Sequence, residues 1–220
     1  MKILVTGGGG YMGSVASHVL LQQGHEIFAV DSLKFGGDSV LALGLNKDFH
    51  FIQGDIGDPE LDRLLPDRFD AVVHLAAIVG DPACAREPDL ARKINLDGAL
   101  HIYQLSRKWN AERFIFASTC SNYGRNNETL EGAKEESELQ PLSLYAETKV
   151  EVERALLDSD VEDGPRVTVL RFATLFGLSP RMRFDLTVNE FTMELMTRGA
   201  LEAVSYTHLR AHETEADLVC

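Results

Sequence analysis

The chain has 220 residues, 45% of them hydrophobic, and 21 Lys and Arg against 34 Asp and Glu give it a formal charge of −13. That length and composition describe a globular chain of one full domain plus part of another, and argue against extended disorder. The acidic balance repels phosphate backbones and anionic headgroups, so neither nucleic acid nor a membrane surface is an expected partner, and any anionic ligand needs a local pocket.

The three cysteines, Cys84, Cys120 and Cys220, are odd in number and widely spaced. They form neither a disulfide framework nor a metal knuckle, which points to a reducing, cytoplasmic setting. No apolar run approaches the roughly 20 residues of a membrane span, and Met1-Lys2 leads straight into a short strand-like run with no signal-type segment.

In chain order, Ile3 to Thr6 reads as a strand that ends in glycines, and Tyr11 to Gln23 as a helix carrying Met12, Val15, Val19 and Leu20 on one face and stopped at Gly24. Glu26 to Val30 is a second predicted strand ending at Asp31, Phe49 to Gln53 a third, and Ala71 to Leu75 a fourth. Leu61 to Leu65 is a short helix and Leu90 to Trp109 a long one. Arg113 to Ala117 is a fifth strand, Ser143 to Leu157 a second long helix, and Val167 to Leu170 a sixth strand. The polar, acidic stretch from Gly124 to Gln140 reads as a surface loop. Repeated βα alternation implies a doubly wound parallel sheet, a Rossmann fold, with ligands at the carboxyl ends of the strands.

The turn Thr6-Gly7-Gly8-Gly9-Gly10-Tyr11-Met12-Gly13 joins the first strand to the first helix. A tight turn needs positive φ, a pyrophosphate needs bare backbone N–H groups, and the helix must lie close on the sheet; Gly7, Gly10 and Gly13 answer these needs. Asp31, at the end of the next strand, is placed to accept the adenosine ribose hydroxyls. Its charge repels a 2′-phosphate and so favours NAD over NADP. Asp55-Ile56, past the third strand, would flank the adenine, a plain helix cap at Asp55 being the alternative.

Tyr145 and Lys149 lie four apart in a helical segment and share a face. The spacing predicts that the ammonium sits beside the phenol and that, together with an oxidised nicotinamide ring, it lowers the phenol pKa from about 10 and favours phenolate; a surface Tyr and a solvated Lys are the alternative. Thr119 follows the fifth strand and would present a hydroxyl at the carboxyl edge of the sheet; a Ser/Thr cluster capping loop backbone is the alternative. Cys84 and Cys120 have no neighbour in sequence that would lower a thiol pKa, and read as core or pocket residues.

Together, Thr-Gly-x-x-Gly-x-x-Gly, Asp31, Asp55-Ile56, His74-Leu75-Ala76-Ala77, Asn95, Ser118-Thr119, Tyr145-x-x-x-Lys149 and Arg171-Phe172 resemble the extended short-chain dehydrogenase/reductases, specifically the NAD-dependent epimerase/dehydratase group acting on nucleotide sugars. The resemblance implies that Thr119 and Tyr145 bind the sugar hydroxyl and exchange its proton, that Lys149 holds the nicotinamide ribose, and that Ala76, Ala77 and Phe172 line the cofactor beside Tyr11 and Met12. It implies a mainly structural Asn95 and a homodimer formed through the two long helices.

Within that group, 4,6-dehydratases carry an Asp-Glu pair directly after the Thr, because eliminating water needs an extra acid and base. Here those places hold Cys120 and Ser121, so the pattern is similar to 4-epimerases working through a 4-keto intermediate and transient NADH. A reductase or dehydrogenase of the same group, and an NAD-binding module without catalysis, are the alternatives. The segment after Arg171 reads as the start of a small, incomplete substrate domain. In it Arg181, Arg183 and Asn189 would bind a diphosphate, the alternative being a solvated loop, and Thr174 stands where 4-epimerases more often carry Asn.

From Val204 to Thr214 the chain matches one reading frame of a transposase sequencing adapter residue for residue, and the resemblance stops there. The expected organisation is therefore a cofactor domain over residues 1–170, the beginning of a substrate domain over 171–203, and a non-native tail over 204–220, with the true protein continuing further. On that reading His208 and His212 are no zinc site despite their spacing, and no metal is expected.

Overall fold

The computed structural model describes residues 1–124, 132–159 and 164–200. Its first half consists of β1 (Lys2–Thr6), α1 (Tyr11–Gln22), β2 (Glu26–Asp31), α2 (Asp38–Leu41), β3 (Phe49–Gln53) and β4 (Ala71–His74). The second half holds α3 (Asp81–Arg86), α4 (Pro88–Arg92), α5 (Ala99–Lys108), β5 (Arg113–Thr119), α6 (Leu144–Leu157) and β6 (Arg166–Phe172), and α7 (Thr187–Arg198) follows. The strands run parallel in the order β3-β2-β1-β4-β5-β6. Parallel neighbours cannot be joined by tight hairpins, so helices make the crossovers and cover the sheet. The winding reverses between β1 and β4, and there a crevice opens at the carboxyl ends of the strands.

Burial on both faces explains why the strands read as apolar runs without alternation. Leu4, Val72, Phe114 and Phe116 pack on one face beneath Ile102 of α5 and Val152 and Leu156 of α6. Ile3, Val5, Ile27 and Ala29 point the other way, against Leu21 of α1 and Val40 of α2.

The structure departs from the sequence expectations in ways that matter for the site. β5 and β6 each extend two residues further, because Ser118 and Thr119 pair with Arg171 and Phe172. The helical path expected from Leu90 starts at Pro88 and contains a π-helical stretch, Lys93–Gly98, before α5. Gly98 allows this close approach, since a Cβ there would lie 2.8 Å from Ile56 Cδ1. Helices α2, α3 and α7 are additions to the expected set; α7 ends at Gly199, whose φ of 68° is a left-handed helix stop. Part of the loop expected from Gly124 to Gln140, and the whole tail from Val204, lie outside the described residues. Among the described residues no helix is long and apolar enough to cross a membrane.

Candidate active site

The crevice is a cavity of about 600 Å³, within the range that takes a cofactor-sized ligand. Its floor is the glycine turn. Gly7 has a φ of 72°, and a Cβ on it would stand 2.8 Å from the Ala76 backbone nitrogen; a Cβ on Gly13 would stand 2.0 Å from the Gly7 carbonyl oxygen. Side chains at either place would fill the cradle or push α1 off the sheet. The helix has Gly10 as its N-cap with no side-chain capping bond, which leaves the first-turn amides for an anion.

Asp31 closes one end. Its carboxylate accepts from the Gly9 N–H at 3.0 Å and the Leu33 N–H at 2.8 Å, and still faces the cavity. Asp55 and Ile56 line the same end, with Asp55 Oδ1 capping the Gly57 N–H at 2.8 Å. Thr6 joins β1 to β4: its hydroxyl lies 2.9 Å from His74 Nδ1 and accepts from the Ala76 N–H at 3.3 Å. Burial pushes His74 down to about 3, so the ring is neutral. Asn95 clamps the next residues, accepting from the Ile78 N–H at 2.7 Å and donating to the Ile78 carbonyl at 2.9 Å. Met12, Ala77 and Phe172 complete the wall. The bare cradle, the open helix start and the carboxylate one strand away fit a dinucleotide.

Thr119, Tyr145 and Lys149 line the same cavity. Thr119 Oγ1 accepts from the Ser121 N–H at 3.1 Å. It therefore does cap the loop, and the same bond holds the hydroxyl at the cavity with its own proton free to donate. α6 begins with Ser143 as N-cap, its hydroxyl accepting from the Ala146 N–H at 3.3 Å, so Tyr145 emerges in the first turn.

In the ligand-free protein Lys149 does not lower the Tyr145 phenol. Lys149 runs down to β5 and donates to the Ala117 carbonyl at 2.8 Å, its nitrogen 5.8 Å from the centre of the Tyr145 ring. Burial pushes the phenol up to about 12, and the cation that pulls it back is Arg183. Burial also pushes Lys149 down to about 8.

A lysine held this way strains the folded state, because below its folded value the buried amine carries a charge that burial disfavours. A fall from 10.5 to about 8 is worth about 3 kcal/mol. Lys149→Met should therefore leave the ligand-free protein as stable or more stable at pH 7, by up to about 3 kcal/mol. The unfolded chain binds the extra proton between about pH 8 and 10.5, so wild type gains on the variant across that window. Denaturant titrations at pH 7 and 10 check this; a variant clearly less stable at pH 7 contradicts it.

Thr174, Arg181 and Arg183 also line the cavity. Asn189 does not. Its amide is used internally: Oδ1 accepts from the Gly177 N–H at 2.9 Å, and Nδ2 donates to the Arg183 carbonyl at 3.0 Å and to the Tyr11 hydroxyl at 3.1 Å. That corrects its expected role as a diphosphate ligand, since no hydrogen of the amide is left over. Arg183 forms an ion pair with Asp185, with Nε–Oδ1 at 3.1 Å and a second bond from Nη2 to Oδ2. Cys84 is buried and Cys120 half-buried, and burial pushes both thiols up, away from nucleophilic thiolate.

Two features escaped the sequence reading. Arg181 stacks on Phe35 at 4.3 Å, closing the cavity from the β2 side. Behind Thr119 and Lys149, Glu153 receives Arg171, Ser118 and Asn122 in one cluster. The spacing of Tyr145, Lys149 and Glu153 on one helix face was the available signal for the second; nothing local announced the first. Among the described residues no three His, Cys, Asp or Glu side chains gather as a metal site requires.

Known proteins are similar to this chain in sequence and fold. Residues 3–212 match the NAD dependent epimerase/dehydratase family model. A UDP-glucose 4-epimerase of Lactobacillus helveticus is 32% identical over 181 residues, covering 81% of this chain and 53% of that protein. The solved UDP-glucose 4-epimerase of Thermotoga maritima, with UDP-glucose, superposes with a TM-score of 0.75 at 32% identity over 90% of this chain and 64% of that one. A Bacillus cereus UDP-glucuronic acid 4-epimerase, in complex with UDP-glucuronic acid and NAD, gives a TM-score of 0.76 at 28% identity, covering 89% and 63%. The chain thus spans about half the length of the first curated relatives it matches.

Proposed function

Because this chain belongs to the NAD-dependent epimerase/dehydratase family, we propose that the protein is a nucleotide-sugar epimerase of the 4-epimerase type, which oxidises a sugar hydroxyl to a ketone and reduces it again from the other face. The observation that carries this is that Thr119, Tyr145 and Lys149 line one cavity with the glycine turn, with no carboxylate after Thr119.

The glycine turn, Asp31 and Phe172 would hold NAD, which when bound would supply the hydride acceptor and donor. Tyr145 takes the proton of the C4 hydroxyl and returns it on reduction. Thr119 donates its free proton to the same sugar oxygen and fixes it against the phenol. Lys149 keeps its charge at the Ala117 carbonyl beneath the Tyr145 ring, where a ribose hydroxyl can reach it. Arg181 and Arg183 hold the diphosphate. Cys120 and Ser121 offer neither a strong acid nor a base at neutral pH, so elimination of water has no machinery and the 4-keto sugar is only reduced. Substrate and product are isomers, and the cofactor is regenerated in each cycle. The working form is a homodimer through the long helical path Pro88–Lys108 and α6.

The test is to load the purified protein with NAD and offer UDP-glucose, UDP-N-acetylglucosamine and UDP-glucuronate in turn, following the 4-epimers by chromatography. Conversion of at least one in both directions supports the reading. Conversion of none rejects it, and reduced product formed one-for-one with cofactor consumed replaces it with a reductase.

A further inference from the structure

The Tyr11 phenol has no place in the chemistry above, yet it is tied on two sides. Tyr11 is the first residue of α1, so its backbone belongs to the glycine turn. Its hydroxyl donates to the Gly177 carbonyl at 2.6 Å and accepts from Asn189 Nδ2 at 3.1 Å. The Tyr11 carbonyl in turn receives the Ser179 hydroxyl at 2.7 Å, and that hydroxyl oxygen accepts from the Arg181 N–H at 3.2 Å. Asn189, 7% exposed, holds the Gly177 N–H with one end and the Arg183 carbonyl with the other. The far side of the loop is held by Arg181 stacked on Phe35. Each bond in this set joins the cofactor half of the cavity to the loop that carries Arg181 and Arg183, ties that loop or Tyr11 to Asn189 of α7, or fixes the loop upon itself.

We infer that Tyr11 and Asn189 are positioning residues for substrate: they lock the loop from Gly177 to Asp185 onto the cofactor turn, so that both arginines stand ready at the cavity wall. The ligand in this inference, a nucleoside diphosphate, rests on the function proposed above. A loop that must be ordered by its ligand spends binding energy on the ordering, whereas one already fixed does not. Because the lock is the side chain of a residue whose backbone lines the cofactor turn, the two halves of the site are built as one piece. The charged groups around the loop are Arg181, Arg183 and Asp185, of which the last two are paired with each other.

Tyr11→Phe tests this, because it keeps the ring and the backbone N–H and removes only the hydroxyl. The probes are UDP and NAD, titrated separately by calorimetry, and trypsin, which cuts after arginine. UDP affinity should fall by about five- to tenfold and NAD affinity by less than about twofold, the span of one or two lost hydrogen bonds acting on one ligand only. Tryptic cleavage after Arg181 and Arg183 should accelerate, while cleavage after the exposed Arg63 keeps its rate. Ser179→Ala, which cuts the second tie, should change both readouts in the same direction. Unchanged UDP affinity with unchanged cleavage overturns the inference. Equal losses for UDP and NAD with faster cleavage everywhere also overturn it, since they mark general destabilisation. If the wild-type chain binds NAD but not UDP, the nucleotide-sugar reading fails, and cleavage alone decides the lock: selective acceleration upholds it and an unchanged pattern overturns it.

Discussion

Replacing Tyr145 by Phe should lower nucleotide-sugar interconversion by about 10²- to 10⁴-fold, the contribution of a positioned acid–base group, while NAD affinity moves by less than about threefold because the ring that lines the cavity stays in place. The direction follows from the environment of the phenol. Burial pushes it up to about 12, and of the surrounding groups Arg183 pulls it down, so at neutral pH the hydroxyl of the ligand-free protein keeps its proton. The active form is the phenolate, and the rate should therefore rise with pH from neutrality toward the titration of Tyr145. In Tyr145→Phe the residual rate should lose that rise. Initial rates across pH 6 to 10 for both proteins check the point. A variant that keeps more than about a tenth of the activity, or the same pH profile, removes Tyr145 from the acid–base role.

What the sequence revealed and what it concealed divide along a physical line. The glycine turn, Asp31, and the pairing of Tyr145 with Lys149 on one face were legible because each depends on neighbours within a few residues. The extra length of β5 and β6 was not, since Ser118, Thr119, Arg171 and Phe172 are strand residues only by pairing with each other. The π-helical stretch at Lys93–Gly98 ends at Gly98, packed against Ile56, which is remote in sequence. Lys149 shows the limit most clearly. Its place on the helix was right, but the direction of its side chain was decided by a carbonyl on β5. Asn189 was read as a ligand because amides suit phosphates; in the structure its hydrogens go to Tyr11 and Arg183, which no spacing rule could announce.

Glu153→Ala should cost about 3 kcal/mol, the lower end for breaking a buried ion pair, which for a chain of this size is a fall in Tm of about 6–12 °C. Glu153 is 1% exposed and pairs with Arg171 at 2.7 Å, where the arginine side chain keeps 17% of its surface. That partial exposure lets water take up some of the unpaired charge, hence the lower end. The carboxylate also takes the Ser118 hydroxyl and the Asn122 amide, the latter at 2.7 Å, so alanine leaves these polar groups without their partner. Arg171 retains the Tyr123 hydroxyl and the Glu135 carbonyl, each at 2.9 Å, which limits the loss. The double variant Glu153→Leu/Arg171→Leu should recover more than half of it, because the cost lies in the orphaned cation rather than in the loss of a net favourable pair. Glu153 sits one turn beyond Lys149 on α6 and grips the residue before Thr119, so activity should fall in the single variant even below its melting range. Urea titrations of wild type, the single variant and the double variant decide the energetics: a single-variant loss under about 1 kcal/mol, or a double variant no better than the single, would show that Arg171 is adequately solvated without its partner.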